Sequence, residues 1–151
     1  DIYKANIPIS LVATDIDTSV LEFAKQGKYV VDTFLNPLPT WLDIKDFFEI
    51  APKSQREIYM NAKQSLKNII TFKQHNLYAK NYPFGQREFD IIFCRNVLIY
   101  FKVEDQEKIL NQLFSHLKVG GTLYLGHSES ILGLAPKVER LGQNIFIKTK
   151  D

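Results

Sequence analysis

"FDIIFCRNVLIYF", from Phe89 to Phe101, is the stretch on which the fold turns. Five of its first six residues are apolar and show no alternation with polar ones. That pattern predicts a strand of a parallel sheet, covered on both faces. Arg95 and Asn96 then interrupt the run before it resumes as Val-Leu-Ile-Tyr-Phe. In open α/β sheets, ligands sit outside the carboxyl ends of the strands. A greasy strand that ends in an arginine and an asparagine is therefore expected to end at a ligand.

Working outward, "IPISLVATD" (7–15) predicts a strand ending at an acid, and "DTSVLEFAKQG" (17–27) a helix. Asp17 or Ser19 can cap that helix, Glu22 completes a Ser-x-x-Glu box, and Gly27 stops it. Val20, Leu21 and Ala24 form its expected buried stripe. Strand, short turn and helix in this order make half of a βαβ unit. On the other side, "VEDQEKILNQLFSHLK" (103–118) places Ile109, Leu110, Leu113, Phe114 and Leu117 on one helical face. Gly120-Gly121 is expected to end this helix, and "TLYLGHS" (122–128) to form another strand. "KVERL" (137–141) and "NIFIKTK" (144–150) predict a closing hairpin around Gly142-Gln143.

The middle of the chain is less regular. Pro37 and Pro39 break it, and Thr40 with Asp43 could cap a short helix carrying Trp41, Leu42, Phe47 and Phe48. "REIYMNA" (56–62) and "IITFKQHNL" (69–77) alternate as two antiparallel strands, joined by a loop "KQSLKN" and extended to a third by "FFEI" (47–50). The expected architecture is α/β: a parallel sheet, a terminal antiparallel hairpin and a small inserted antiparallel β-subdomain.

Composition narrows the function. With 151 residues, 45% hydrophobic and 24% charged, the chain can build a globular core. A net charge of +2 does not argue for nucleic acid. One cysteine, Cys94, excludes an internal disulfide, and with three scattered histidines no metal site is expected. No apolar run approaches the roughly 18 residues of a membrane span. "DIYKANIPIS" lacks the basic start and apolar stretch of a signal peptide, and a cytoplasmic location is expected.

The strand ends supply the candidate site. Asp15, at the end of the first strand, can accept two hydrogen bonds from a ribose diol, as acids there do for adenosine cofactors; the alternative is a helix cap, a role that suits Asp17 better. Asn76 offers both donor and acceptor to an adenine edge, or is simply a turn residue. Arg95, Asn96, Val97 and Tyr100 follow the third strand; His127, Ser128 and Glu129 follow the fourth. Cys94, inside a strand, reads as packing rather than as a nucleophile.

"ATDIDTSVL", "FKQHNL", "FDIIFCRNVLIYF" and "GGTLYLGHSES", in this order and at these intervals, strongly resemble the catalytic domain of CheR-type chemotaxis receptor methyltransferases. The likeness runs to the closing "LGQNIFIK". It implies a class I S-adenosylmethionine-dependent methyltransferase sheet of Rossmann-like type. It also implies methylation of receptor glutamates to methyl esters, with S-adenosylhomocysteine as the product. By the resemblance, Asp15 holds the cofactor's ribose, Asn76 and Leu77 border the adenine, and Asn96 and Val97 lie beside its methionine end. Tyr100 lies near the transferred methyl; Arg95 is assigned to positioning a carboxylate from its charge and place. The insertion, at about 46–75, corresponds to the family's β-subdomain, which in some members binds the receptor's C-terminal tail. From Lys53 to Lys80 six Lys and Arg face only Glu57, which suits docking on an acidic receptor region. Neither nucleic acid nor membrane insertion is expected.

The family pattern departs from this sequence in one respect. It begins with a helical N-terminal domain, then a strand and an acidic, glycine-containing loop that grips the cofactor's methionine part. In the class I strand order 3-2-1-4-5-7-6 that strand is the central one, and it is not in residues 1–151. The expectation is a partial catalytic domain of impaired activity, whose strand tips at Asp15, Asn76 and Asn96 converge on one adenosyl-sized hollow. The rival expectation is a non-catalytic module that binds a receptor or signalling partner through the β-subdomain.

Overall fold

A computed structural model describes residues 8–131 and 137–151. They fall into two units, one ending at Asn76 and the other beginning at Leu77. The first unit is built on β1 (Leu11–Asp15) and β5 (Ile70–Gln74), paired in parallel with Leu11 opposite Ile70 and Asp15 opposite Gln74. Helix α1 (Thr18–Gln26) follows β1 after a two-residue turn. Asp17 caps it by accepting from the Ser19 N–H, and at its other end the Gly27 N–H donates to the Ala24 carbonyl. Of the expected stripe, Leu21 is buried, whereas Val20 is exposed.

Between α1 and β5 lies a three-stranded antiparallel sheet in the order β2-β4-β3 (Lys28–Asp32, Glu57–Ala62 and Phe48–Pro52). Its register sets Tyr29 and Ile50 against Met60, Val31 against Ile58, and Phe48 against Ala62. Cross-strand partners share a face, so these residues form its apolar side, with Met60 and Ala62 buried. Three expectations are corrected here. Residues 70–74 do form a strand, but it pairs in parallel with β1 rather than antiparallel with 56–62; alternation reveals a strand, not its partner. "KYVVD" supplies the third strand of the inserted sheet instead. "KQSLKN" contains a short helix, α2 (Gln64–Asn68), whose N–H groups at Leu66 and Lys67 both reach the Lys63 carbonyl. The segment around Trp41 is not helical; a single 3₁₀ turn, Ile44–Asp46, forms where Asp43 accepts from the Lys45 N–H.

The second unit is a four-stranded mixed sheet, β6-β7-β9-β8, with helix α3 (Val103–His116) on one face. β6 (Phe89–Cys94) runs parallel to β7 (Leu117–Leu125), and the hairpin β8 (Val138–Gly142) and β9 (Ile145–Lys148) closes the far side. Cys94, Leu117, Leu123, Leu125 and Phe146 from the sheet meet Ile109, Leu110 and Phe114 of α3 to form the core. The helical stripe thus lies where its 3.6-residue period puts it.

Two further expectations change in this unit. Gly120-Gly121 does not end the helix, which closes at His116; both glycines lie within β7. A Cβ at Gly121 would stand 2.9 Å from the carbonyl of Asp90, so this glycine allows β6 and β7 to approach. β6 is also not covered on both faces. Ile91 and Phe93 are 52% and 67% exposed, and Phe93 stacks on Tyr124 at 4.6 Å on that open side.

Lys148, 2% exposed, fastens the sheet to the end of α3. Its ammonium donates to the carbonyls of Phe114 (3.0 Å) and Leu117 (2.9 Å), lies 4.5 Å from the centre of the Phe114 ring, and pairs with Asp151 at 2.7 Å. A helix's last carbonyls lack partners within the helix, and here a buried cation supplies them. Lys148→Met should therefore lower unfolding free energy by about 2–4 kcal/mol. Urea unfolding monitored by circular dichroism checks this; an unchanged midpoint would contradict it.

Candidate functional site

β1 and β5 run in parallel and end side by side, Asp15 opposite Gln74. Strand pairing carries on past both, since the His75 N–H donates to the Asp15 carbonyl at 2.9 Å and the Gln74 side chain to the Ile16 carbonyl at 3.0 Å. Asp15 and Asn76 are thereby brought to one sheet edge. The two acids of this turn have separate tasks. Asp17 accepts from both the hydroxyl (2.6 Å) and the N–H (2.8 Å) of Ser19, bonds that hold its carboxyl below the usual carboxylate range. Asp15 is tied by one oxygen only, Oδ1, to the Asp17 N–H at 2.9 Å. Among the described residues its other oxygen meets no donor, leaving it available to hydroxyl groups of a ligand.

In the second unit, the chain leaves Cys94 at the end of β6 and bends at Asn96, which has φ +58°. Asparagine tolerates this left-handed conformation better than most residues. Leu98, fully buried, then anchors a 3₁₀ turn (Leu98–Tyr100) in the core. Everything around that anchor faces outward: Arg95 and Asn96 are exposed, Val97 is 37% exposed and Tyr100 is 82% exposed. Arg95, Asn96, Val97 and Tyr100 are thus gathered on one short segment. Leu77 packs against the same core, and its carbonyl accepts from the Tyr82 hydroxyl at 2.9 Å. Tyr82 in turn stacks on His116, whose Nδ1 lies 2.8 Å from the Gly85 carbonyl, so the stretch after Leu77 is fastened to the end of α3.

The bend has a partner to which the sequence reading gave no role. Glu129 is 6% exposed. Its Oε1 accepts from the N–H groups of Val97 (2.8 Å) and Leu98 (2.7 Å), and its Oε2 from that of Gly126 (2.5 Å). Hydrogen bonds to a charged group contribute about 1.5–3 kcal/mol each, and a carboxylate buried without them would be strongly destabilising. The available signal was an acid placed directly after an apolar strand, in "GHSE", where water is scarce.

His127 is exposed on the loop after β7. No group of three or more His, Cys, Asp or Glu side chains suited to a metal occurs among the described residues. Within the basic stretch of the first unit, Lys53 pairs with Glu57 at 3.3 Å, Arg56 with Asp32 at 3.4 Å, and Lys63 donates to the Lys45 carbonyl at 2.5 Å. Part of that charge is therefore engaged locally. An open hollow of about 460 Å³, lined by Asp32, Ser54, Gln55, Arg56 and Glu57, lies at the tip of the three-stranded sheet rather than at the strand ends.

An α/β chain with acids and amides at its strand tips is the pattern of a nucleotide-cofactor domain, and comparison with known proteins specifies the kind. Residues 2–147 match the family described as CheR methyltransferase, SAM binding domain. The chain belongs to this family, whose cofactor is S-adenosylmethionine. It is 40% identical over 147 residues to a chemotaxis protein methyltransferase of Vibrio parahaemolyticus, an alignment covering 94% of this chain and 50% of that protein. It is 38% identical over 130 residues to the one from Borreliella burgdorferi (86% and 44% covered). With that of Escherichia coli the identity is 37% over 139 residues (92% and 47% covered). The chain thus spans about half the length of these curated relatives. The donor set fits the cofactor: the half-engaged carboxylate of Asp15 suits a ribose diol. No helix among the described residues is long and apolar enough to cross a membrane.

Cys94 lies buried at this strand end. Burial, and secondarily the charge of Glu129, push its thiol up to about 12. Since the thiolate is the reactive form, iodoacetamide at pH 8 should alkylate native Cys94 at least about a hundredfold more slowly than the denatured chain. Comparable rates would contradict the burial.

Proposed function

We propose that this chain is part of an enzyme that methylates glutamate carboxylates on a chemotaxis receptor. In this reading Asp15, Asn76, Leu77, Asn96 and Val97 bind S-adenosylmethionine, while Tyr100 and Arg95 face the acceptor. The supporting observation is the end of β6, where a fixed backbone presents Arg95, Asn96, Val97 and Tyr100 together in a chain of a SAM-binding family. The cofactor supplies a methyl group on a positively charged sulfur.

The residues around it need little acid–base chemistry. A surface glutamate, with a reference pKa of about 4.3, is ionised at neutral pH and is itself the nucleophile. The requirement is alignment of oxygen, methyl carbon and sulfur, for which positioning can lower a barrier by about 7–11 kcal/mol. The Tyr100 ring favours a nearby cation, and its hydroxyl can donate to the incoming carboxylate. Arg95 offers the carboxylate a forked set of donors.

Two features of the fold suit a larger catalytic domain. Among the described residues, β1 is paired on one edge only, with β5, and β6 on one edge only, with β7. Free edges of apolar strands tend to be covered or paired in native proteins. We assign the free edge of β1 and that of β6 each to pairing within the whole enzyme, of which this chain spans part. The antiparallel sheet β2-β4-β3 is the surface assigned to receptor docking, with the receptor's C-terminal tail as the candidate ligand. Its outer strands β2 and β3 each pair only with β4 among the described residues, which suits strand addition. That feature also favours the second reading, a binding module without catalysis, which would capture receptor peptide but not S-adenosylmethionine.

In the whole enzyme, Tyr100→Phe and Asn96→Ala should each lower the rate of receptor methyl-ester formation by about tenfold or more. Wild-type rates in both would remove these assignments. Reversing Lys63 and Lys67 to Glu should weaken receptor binding and reduce its salt dependence; binding that is insensitive to the reversal would exclude steering by these lysines.

A further inference from the structure

Glu129 is left without a role by the reading above, although it is the most heavily bonded carboxylate at the end of the second unit's parallel strands. We propose that Glu129 is a positioning residue for S-adenosylmethionine binding, holding the Asn96–Leu98 bend in the conformation that presents Asn96 and Val97. The proposal rests on the assignment of those two residues to the cofactor.

The geometry carries it in three respects. First, the bend turns on Asn96 at φ +58°, a left-handed conformation that asparagine tolerates but that has to be selected over its ordinary ones. Second, support for it comes from the next two N–H groups, both donated to Oε1 of Glu129 at 2.8 and 2.7 Å. Third, the other carboxylate oxygen takes the Gly126 N–H, so one side chain joins the ends of β6 and β7. The two ends are also in direct contact. A Cβ at Gly126 would stand 2.5 Å from Asn96 Oδ1, 2.7 Å from Asn96 N and 2.7 Å from Glu129 Oε2. The side-chain amide of Asn144, in the β8–β9 turn, donates to the Gly126 carbonyl at 2.7 Å and fixes this contact from the other side.

The two oxygens of the Glu129 side chain accept from all three N–H groups. A glutamine has one acceptor oxygen, and its NH2 group would face an N–H donor whichever way the amide is turned. The side chain is buried beneath the bend and does not itself present a group to solvent, so its action on the cofactor passes through Asn96 and Val97.

The test is calorimetric titration of the whole enzyme with S-adenosylhomocysteine, together with amide hydrogen exchange, for wild type and Glu129→Gln. The expected result is binding weakened by about ten- to a hundredfold. Exchange should be faster at Val97 and Leu98, and unchanged at Leu110 in α3. Wild-type affinity despite faster exchange at the bend would overturn the proposal and leave the cofactor assignment standing. Unchanged exchange at both amides would overturn it as well. Failure of the wild-type protein to bind would overturn the cofactor assignment, and the positioning role with it. If Glu129→Gln does not fold, Gly126→Ala strains the same contact; weakened binding supports the proposal and wild-type affinity in that variant contradicts it.

Discussion

β7 is the element on which the second unit depends, because both of its hydrogen-bonding edges are paired and one of its faces carries the core. β6 takes one edge in parallel and β9 takes the other in antiparallel. Leu117, Leu123 and Leu125, all almost wholly buried, seat one face against α3. That arrangement fixes where β6 ends, and hence where Arg95, Asn96, Val97 and Tyr100 stand. A segment on a loop alone would be less sharply placed than this one, anchored at Leu98 in a packed core.

The first unit arrives at an equivalent result by other means. Two parallel strands, β1 and β5, bring Asp15 and Asn76 to the same edge, and a helix capped by Asp17 begins immediately after β1. Assigning the cap to Asp17 leaves Asp15 with an oxygen to offer. The inserted antiparallel sheet buries Met60 and Ala62 on one face, while Tyr59 and Val30 remain exposed on the other. Such a sheet can carry a recognition surface without disturbing the parallel strands.

Local signals proved legible in the sequence, and non-local ones less so. The cap at Asp17, the stop at Gly27, the stripe of Ile109, Leu110 and Phe114 on α3 and the closing hairpin depend on residues a few positions apart, and each forms, with Leu117 passing to β7 and the hairpin turn one residue later at Gln143-Asn144. The partner of β5 was not legible, because the same alternation suits either an antiparallel neighbour or β1, far away in the chain. "KYVVD" went unrecognised because the prolines after it suggested irregular structure throughout. Gly120-Gly121 carried a signal of close approach between strands that looks, in sequence, like a helix stop. At the site, exposed polar residues after an apolar strand were conspicuous. Glu129 was not, since a buried carboxylate shows its purpose only when the three N–H groups around it are known.

We propose that Asp15 and Asn96 each contribute to binding an adenosyl cofactor. Titration of S-adenosylhomocysteine into the whole protein and its Asp15→Ala and Asn96→Ala variants, followed by the heat of binding, tests it most directly. Saturable one-to-one binding by the parent, weakened in each variant without loss of folding, is the predicted result. Equal affinity in all three proteins, or no heat of binding from the folded parent, would contradict it.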